Sequence, residues 1–429
     1  MTIEKLYEIF LSSKGVVTDS RSCKPGTIFF ALKGAKFDGN DFAIKALNLG
    51  CQYAVVDRSG IGDDKRLIYV DDVLETLQKL ARHHRQQFDI PVLAVTGTNG
   101  KTTTKELLNV ALSGRYNVLC TQGNLNNQIG VPLTLLRLTR EHTFAIIEMG
   151  ASHPGDINEL CEIALPNQGV ITNVGKAHLE GFGSFEGVVR TKTELYRFLM
   201  EREGVIYVNE KNPTLMQAVG QYSRYVGYPE GFELIPYQAK MTFSYQYNKY
   251  TTNIFGDYNY ENLLAAVAVA KRNMVDVHNC ISALCRFTPA NNRSQLSQTQ
   301  YNHLVVDAYN ANPTSMSAAI RQFDNNPNYH DKIAILGDML ELGDAAQVEH
   351  RTVIELLKNT NFYTIYTVGS EFSRAIKSAT MSARCRDKFQ PFESTEDLTF
   401  HLKSCSIRNK WILIKGSRGM ALERVIPLL

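Results

Sequence analysis

Short runs with apolar side chains on both faces recur along the whole chain: GTIFFAL (26–32), YAVV (53–56), VLAVTG (92–97), FAIIEMG (144–150), GVITNVG (169–175), GVIYVN (204–209), LVVDAYN (304–310), KIAILGDM (332–339), YTIYTVG (363–369) and KWILIKG (410–416). A strand with no polar face must be covered on both sides, as parallel sheets are by their crossover helices. Segments of suitable length stand between the runs, such as KTTTKELLNVALSG (101–114) and NYENLLAAVAVAKRN (259–273). The pattern predicts an α/β chain built on parallel sheets. No fixed-period repeat or low-complexity tract points to a solenoid or fibre.

With 429 residues the chain is long enough for two or three domains. Two polar breaks, RQQFDIP (85–91) and CRFTPANNRSQ (285–295), divide it into units expected at 1–89, 90–288 and 289–429. Lys and Arg number 46 against 43 Asp and Glu, and this balance does not indicate a nucleic-acid partner. The eight cysteines include no CxxC pair, which fits a reducing cytoplasm better than a zinc knuckle or disulfide framework. MTIEKLYEIF lacks the pattern of a signal peptide, and the longest clean apolar run, LLAAVAVA (263–270), is too short to span a bilayer; a soluble, cytoplasmic chain without membrane insertion is expected.

The stretch VTGTNGKTTTK (95–105) joins an apolar run to a helical segment. Gly97 and Gly100 permit close backbone approach, so that successive N–H groups around Thr98, Asn99 and Thr103 can face phosphate oxygens at a helix N-terminus. Lys101 can reach terminal phosphates, and the Thr102 hydroxyl can take a magnesium ion. The common G-x-x-x-x-G-K-[ST] pattern requires glycine where this chain has Val95, so the loop is a shorter relative.

Glu148 ends one apolar run, where a buried carboxylate is costly without a cation, although a helix cap is the alternative. His178 lies just beyond another run; alone it reads as a structural histidine, but adjacent strands of one sheet would bring it and Glu148 beside the loop. Lys192 reads most simply as a solvated charge on a helix. Asn259 and Asn262 stand one helical turn apart, suited either to a shared polar contact or to a cap at Asn259. DAYNANPTSM (307–316) ends a strand in a polar turn, and KGSRGM (415–420) offers two cations to an anionic group.

These motifs, with GNLNNQIGVPLTLL (123–136) and LGDMLELG (336–343), resemble the Mur ligases in order and spacing, and TDSRSCKPGTIFFALKGAKFDGNDF (18–42) is similar to that family's UDP-sugar-binding segment. The resemblance covers nearly the whole chain. It implies a central P-loop-type parallel-sheet ATPase domain, flanked by an N-terminal UDP-sugar-binding α/β domain and a C-terminal Rossmann-like domain. It further implies an ATP-dependent carboxylate–amine ligase of peptidoglycan precursor synthesis, working through an acyl phosphate. DAYNANP and GDMLELG favour the member joining D-alanyl-D-alanine to UDP-N-acetylmuramoyl-tripeptide over the sister that adds the third amino acid. A P-loop ATPase acting as a switch or motor would leave segments 18–42 and 123–130 without a role.

By the same resemblance, Lys101, Glu148, His178 and Lys192 are catalytic. Thr102 and Glu148 would hold one Mg²⁺, and His178 with a carbamylated Lys192 a second; Thr191 stands where the family's lysine motif has alanine. ATP would meet the 97–103 loop, Asn259 and Asn262 near adenine and phosphates, Arg293 near the γ-phosphate and Asp307 at the ribose. Tyr258 occupies a position where the family often has histidine. Substrate contacts are expected from Ser20 and Arg21 at the uridine diphosphate, and from Asn124, Asn310, Asn312, Lys415, Ser417 and Arg418 around the peptide and acyl phosphate. A monomer whose domains close on ATP is implied.

Overall fold

The computed structural model describes all of residues 1–429 except residues 178 and 291, and of Leu179 it describes the backbone alone. The expected α/β class is what forms. Strands Val16–Val17, Ile28–Phe30, Tyr53–Val56 and Leu67–Tyr69 make a four-stranded parallel sheet in that order. A six-stranded parallel sheet follows, ordered Tyr225–Gly227, Val205–Val208, Gln168–Ile171, Val92–Thr96, Phe144–Glu148, Val118–Cys120. The last large sheet, also six-stranded, runs Gln295–Gln298, His303–Asp307, Trp411–Lys415, Lys332–Gly337, Thr364–Val368, Phe389–Phe392, with only its first pair antiparallel.

The two-faced burial predicted for the strands is visible residue by residue. Leu93, Val95, Phe144 and Ile146 turn toward the helices Lys101–Leu112, Tyr260–Arg272 and Val277–Arg286, while Val92, Ala94, Ala145 and Ile147 join the opposite core. That opposite core continues without a break into Leu6, Phe10, Leu77 and Leu80 of the N-terminal segment. The helix Val73–Arg85 makes the junction, capped by Asp72, with its buried stripe against the neighbouring sheet unit. At its end His84 Nε2 donates to Leu138 O at 3.0 Å and its Nδ1 accepts from the Tyr7 hydroxyl at 3.1 Å. The polar break at 85–91 therefore separates sheets but not cores.

Several strands lie outside the apolar runs, among them Val16–Val17, Leu67–Tyr69, Val118–Cys120, Tyr225–Gly227 and Phe389–Phe392. Strands Phe232–Ile235, Thr242–Tyr245 and Asn248–Thr251 form a small antiparallel sheet whose residues are largely half-exposed, so no two-faced run announces them. Gln295–Gln298 is polar apart from Leu296, which packs on the C-terminal core, and it sits at an edge, where one face stays wet. Among the described residues no helix is long and apolar enough to cross a membrane.

Because Leu77 is fully buried in the shared core, Leu77→Ala is expected to cost about 2–5 kcal/mol. Urea unfolding followed by circular dichroism should show a single earlier transition for both units. A variant that unfolds at the wild-type midpoint would contradict the shared core.

Candidate functional site

Sequential strands of the central sheet end at one place. Val92–Thr96 lies between Phe144–Glu148 and Gln168–Ile171, so the loop after it, Glu148, and the segment from Thr172 share one carboxyl edge. Gly97 has φ +142° and Gly100 φ +77°. A Cβ at 97 would lie 2.0 Å from Thr172 Oγ1, and one at 100 would lie 2.6 Å from Asn262 Oδ1. Both glycines are thus required by conformation and by crowding.

The loop is tied down from outside. Thr98 N donates to Asn173 O at 2.9 Å, Asn99 N to Asn173 Oδ1 at 2.9 Å, and Thr172 Oγ1 to Asn99 O at 2.6 Å. The helix Lys101–Leu112 closes its first turn with Thr104 N on Gly100 O at 2.7 Å, so the N–H groups just before Thr104 have no intrahelical acceptor. Lys101 Nζ donates to Gly97 O at 2.8 Å and Thr98 O at 3.1 Å. Burial lowers its pKa, Glu148 opposes that shift, and Arg293 adds to it.

Glu148 is buried, with 1 % of its surface exposed. Its Oε1 accepts from Thr102 Oγ1 at 3.1 Å and Asn126 Nδ2 at 2.8 Å, while Oε2 is buried with no hydrogen-bond partner among the described residues. It does not cap a helix. An orphan carboxylate oxygen beside a threonine hydroxyl is a donor set of the hard, oxygen type that fits a divalent cation. The sequence points to Asn124 of the same segment as Asn126; both asparagines line the interdomain cleft, but it is Asn126 that reaches the carboxylate. Asn126 also packs tightly on Gly150, whose Cβ position lies 2.9 Å from its Oδ1, a contact that the sequence carries no sign of.

Lys192 is not a surface charge. It ends the helix Phe185–Lys192 with 2 % exposure, and its ammonium lies 5.5 Å from the centre of the Phe182 ring. Burial drives its pKa well below the ordinary lysine value, and Lys101 pushes the same way, against Asp156 and Glu194. Its side chain does not line the cleft that the loop and Glu148 face. His178 lies outside the described residues.

Facing this edge are the strand ends of the C-terminal sheet, and a cleft of about 830 Å³ opens between them. It is lined by Thr98 to Thr103, Asn124, Glu148, Asn259, Asn262, Arg293, Asp307, Asn310, Asn312, Lys415 and Arg418, and Gly97 lies just beneath it. Asn259 stands at the start of its helix without a side-chain cap; instead its Oδ1 accepts from Asn262 Nδ2 at 2.8 Å and its Nδ2 donates to Phe255 O at 2.8 Å. The shared polar contact is the alternative that forms. Tyr258 also lines the cleft, its hydroxyl 3.3 Å from Ser294 Oγ.

Asp307 and Lys415 are partners across adjacent strands and form an ion pair, with Asp307 Oδ1 also accepting from Ser294 N at 3.0 Å. Asn312 caps the helix Pro313–Asn325 and reaches across the cleft, Nδ2 to Asn99 Oδ1 at 2.7 Å. Ser417 does not line the cleft; its hydroxyl accepts from Leu340 N at 2.9 Å and holds the 338–342 turn. Ser20 and Arg21 sit elsewhere, in the N-terminal sheet unit. Arg21 is largely exposed and forks onto Asp19, whose pKa it holds at about 2.

Family profiles described as Mur ligase family, catalytic domain, Mur ligase middle domain, and Mur ligase, glutamate ligase domain match residues 12–85, 95–270 and 292–418. The UDP-N-acetylmuramoyl-tripeptide–D-alanyl-D-alanine ligase of Bacillus subtilis (strain 168) is 33% identical, over 96% of this chain and 92% of its own length. A crystal structure of MurF from Acinetobacter baumannii superposes with TM-score 0.86 at 30% identity, covering 99% of this chain and 98% of that one. MurF ligase from Thermotoga maritima, in complex with ADP, gives 0.81 at 27% identity, covering 98% and 97%. Identity at this level over nearly the full length of both chains places the protein in the Mur ligase family.

Proposed function

We propose that the chain is the ATP-dependent ligase joining D-alanyl-D-alanine to UDP-N-acetylmuramoyl-tripeptide. The observation that carries this reading is the contact of Asn99 with Asn312, which puts the TGTNGKT loop and the DAYNANP turn on one cleft. The named relatives support the same activity. Units 1–89, 90–288 and 289–429 would serve the UDP-muramoyl peptide, ATP, and closure over the dipeptide. A monomeric, cytoplasmic enzyme without nucleic-acid or membrane partners completes the proposal.

A carboxylate is a poor electrophile because its oxygen leaves badly. In this reading the tripeptide carboxylate attacks the γ-phosphorus of ATP, ADP leaves, and an acyl phosphate results. The amine of D-alanyl-D-alanine then adds to the carbonyl, loses a proton, and the tetrahedral adduct expels phosphate. Lys101 and the first-turn N–H groups offset charge on the transferring phosphoryl, with Arg293 and Arg418 on the opposite wall. The Asn259–Asn262 pair and Asp307 take the nucleoside end; Asn124, Asn310, Asn312 and Lys415 meet the peptide and acyl phosphate, Ser417 bracing the turn beside them, and Ser20 and Arg21 the uridine diphosphate. Thr102 and Glu148 would hold a magnesium ion, which when bound neutralises phosphate charge. His178 and Lys192 are assigned to a second. The depressed pKa of Lys192 supports its carbamylation, since only the neutral amine can bond the carbon of CO₂, releasing a proton to give an anionic carbamate.

Phosphate release should require both UDP-muramoyl-tripeptide and D-alanyl-D-alanine; full release with ATP alone would refute the ligase reading, and turnover of UDP-muramoyl-dipeptide with a free amino acid would favour the sister enzyme. Glu148→Gln keeps an acceptor for Thr102 and Asn126 but removes the charge, so kcat is expected to fall about 100-fold or more without loss of melting temperature. With ¹³C-bicarbonate, the wild type should show a carbamate carbonyl resonance that Lys192→Ala lacks, and a small carboxylic acid should restore part of the variant's activity. A wild-type spectrum without that signal would remove the carbamate.

A further inference from the structure

Strands Gln295–Gln298, His303–Asp307 and Trp411–Lys415 lie side by side, with Gln295 opposite Val306 and Asp307 opposite Lys415. Three chain segments therefore meet at one edge of the sheet. Arg293 comes just before the first strand, Tyr309 just after the second, and Arg418 just after the third. The guanidinium carbon of Arg293 stands 3.7 Å from the centre of the Tyr309 ring, and that of Arg418 stands 4.8 Å from it. All three residues line the cleft.

The frame around the ring is fixed. Ser294 N is held by Asp307 Oδ1 at 3.0 Å, and Lys415 Nζ, paired with Asp307, also donates to Asn310 O at 3.3 Å. The two guanidinium groups repel one another, and Arg293 also disfavours the charge on Lys101. Among the described residues neither arginine is salt-bridged to a carboxylate; what they share is the negative face of one aromatic ring. An aromatic ring can hold a guanidinium in place without consuming its charge, whereas a carboxylate would neutralise it.

We infer that Tyr309 is a positioning residue for phosphoryl transfer, its ring holding Arg293 and Arg418 at a spacing that lets both meet one phosphoryl group as it passes from nucleotide to carboxylate. The inference rests on the ligase reading above. The ring, not the hydroxyl, carries the role. It acts through the two arginines and need not touch substrate.

Tyr309→Phe keeps the ring, while Tyr309→Leu and Tyr309→Gln remove it at a half-buried position. Steady-state ligation should give a near-wild-type kcat for Tyr309→Phe, and a kcat about 10- to 100-fold lower for the other two. The KM for UDP-muramoyl-tripeptide should be unchanged in all three, because its uridine end is bound elsewhere. Calorimetric titration supplies a readout independent of turnover: the preference for a non-hydrolysable ATP analogue over ADP should fall toward one in Tyr309→Leu and Tyr309→Gln only. Wild-type kcat and nucleotide preference in both ring-less variants would overturn the inference. So would Tyr309→Phe being as impaired as Tyr309→Leu, which would assign the role to the hydroxyl. A wild type that binds ATP but forms no ligated product would defeat the ligase reading instead, and the nucleotide preference would still decide the role of the ring.

Discussion

The clamp on the 97–100 loop is the constraint from which the site follows. Asn173 and Thr172 use hydrogen bonds at 2.6–2.9 Å to take up the loop's own amide and carbonyl groups. What is left unclaimed is the first turn of Lys101–Leu112, whose dipole and N–H groups then point into the cleft. If the loop amides were free, the loop could satisfy itself in several conformations. Because neighbouring strand ends consume them, a single conformation remains, and it presents donors only where an anion can arrive.

A second constraint is electrostatic. Lys101, Arg293, Lys415 and Arg418 converge on one cleft, a costly gathering of like charge. Asp307 neutralises Lys415, and the buried Glu148 favours the charge on Lys101. The Tyr309 ring offsets the two arginines by about 0.5–2 kcal/mol each, a range that depends on their desolvation. The remaining positive potential is the property a multiply charged phosphate needs, and it comes from adjacent strands whose register fixes Asp307 against Lys415.

Much of this was legible in the sequence wherever burial left a mark. The parallel sheets were readable because strands covered on both faces carry few polar residues to disguise them, and the glycine loop because both of its glycines are sterically obligatory. Glu148 was legible as a carboxylate at the end of a buried strand. The family resemblance singled out Lys192, but its burial was not legible: a lysine on a helix carries no sign of which face it occupies, and only packing such as that against Phe182 reveals it as buried. The half-exposed strands between 232 and 251 escaped notice because their alternation is mixed with polar residues on both sides. Asn126 was hidden among neighbouring asparagines, which differ only in the direction given by the turn. Tyr309 read as part of a polar turn, since the arginines that flank its ring are distant in sequence.

The two junctions between units differ in kind, and that difference bears on how such a cleft can open and close. The N-terminal and central sheets share one apolar core, so parting them exposes Leu6, Phe10, Leu77 and Leu80 along with Ala145 and Ile147. Each large apolar side chain laid bare costs about 1.5–3 kcal/mol. Across the cleft the links are polar: Asn99 to Asn312 at 2.7 Å, and Lys176 to Glu349 at 2.9 Å. Water can replace those at little net cost. Apolar contact is concentrated around Phe255, which packs against Phe323 and Tyr329 with Ala239 and Tyr258 beside it, a few residues before the Asn259–Asn262 pair. Movement of the C-terminal unit about this anchor would leave the central loop and its clamp undisturbed. It would also carry Tyr309 and both arginines as one piece, so that the positive charge on that wall arrives or departs as a unit.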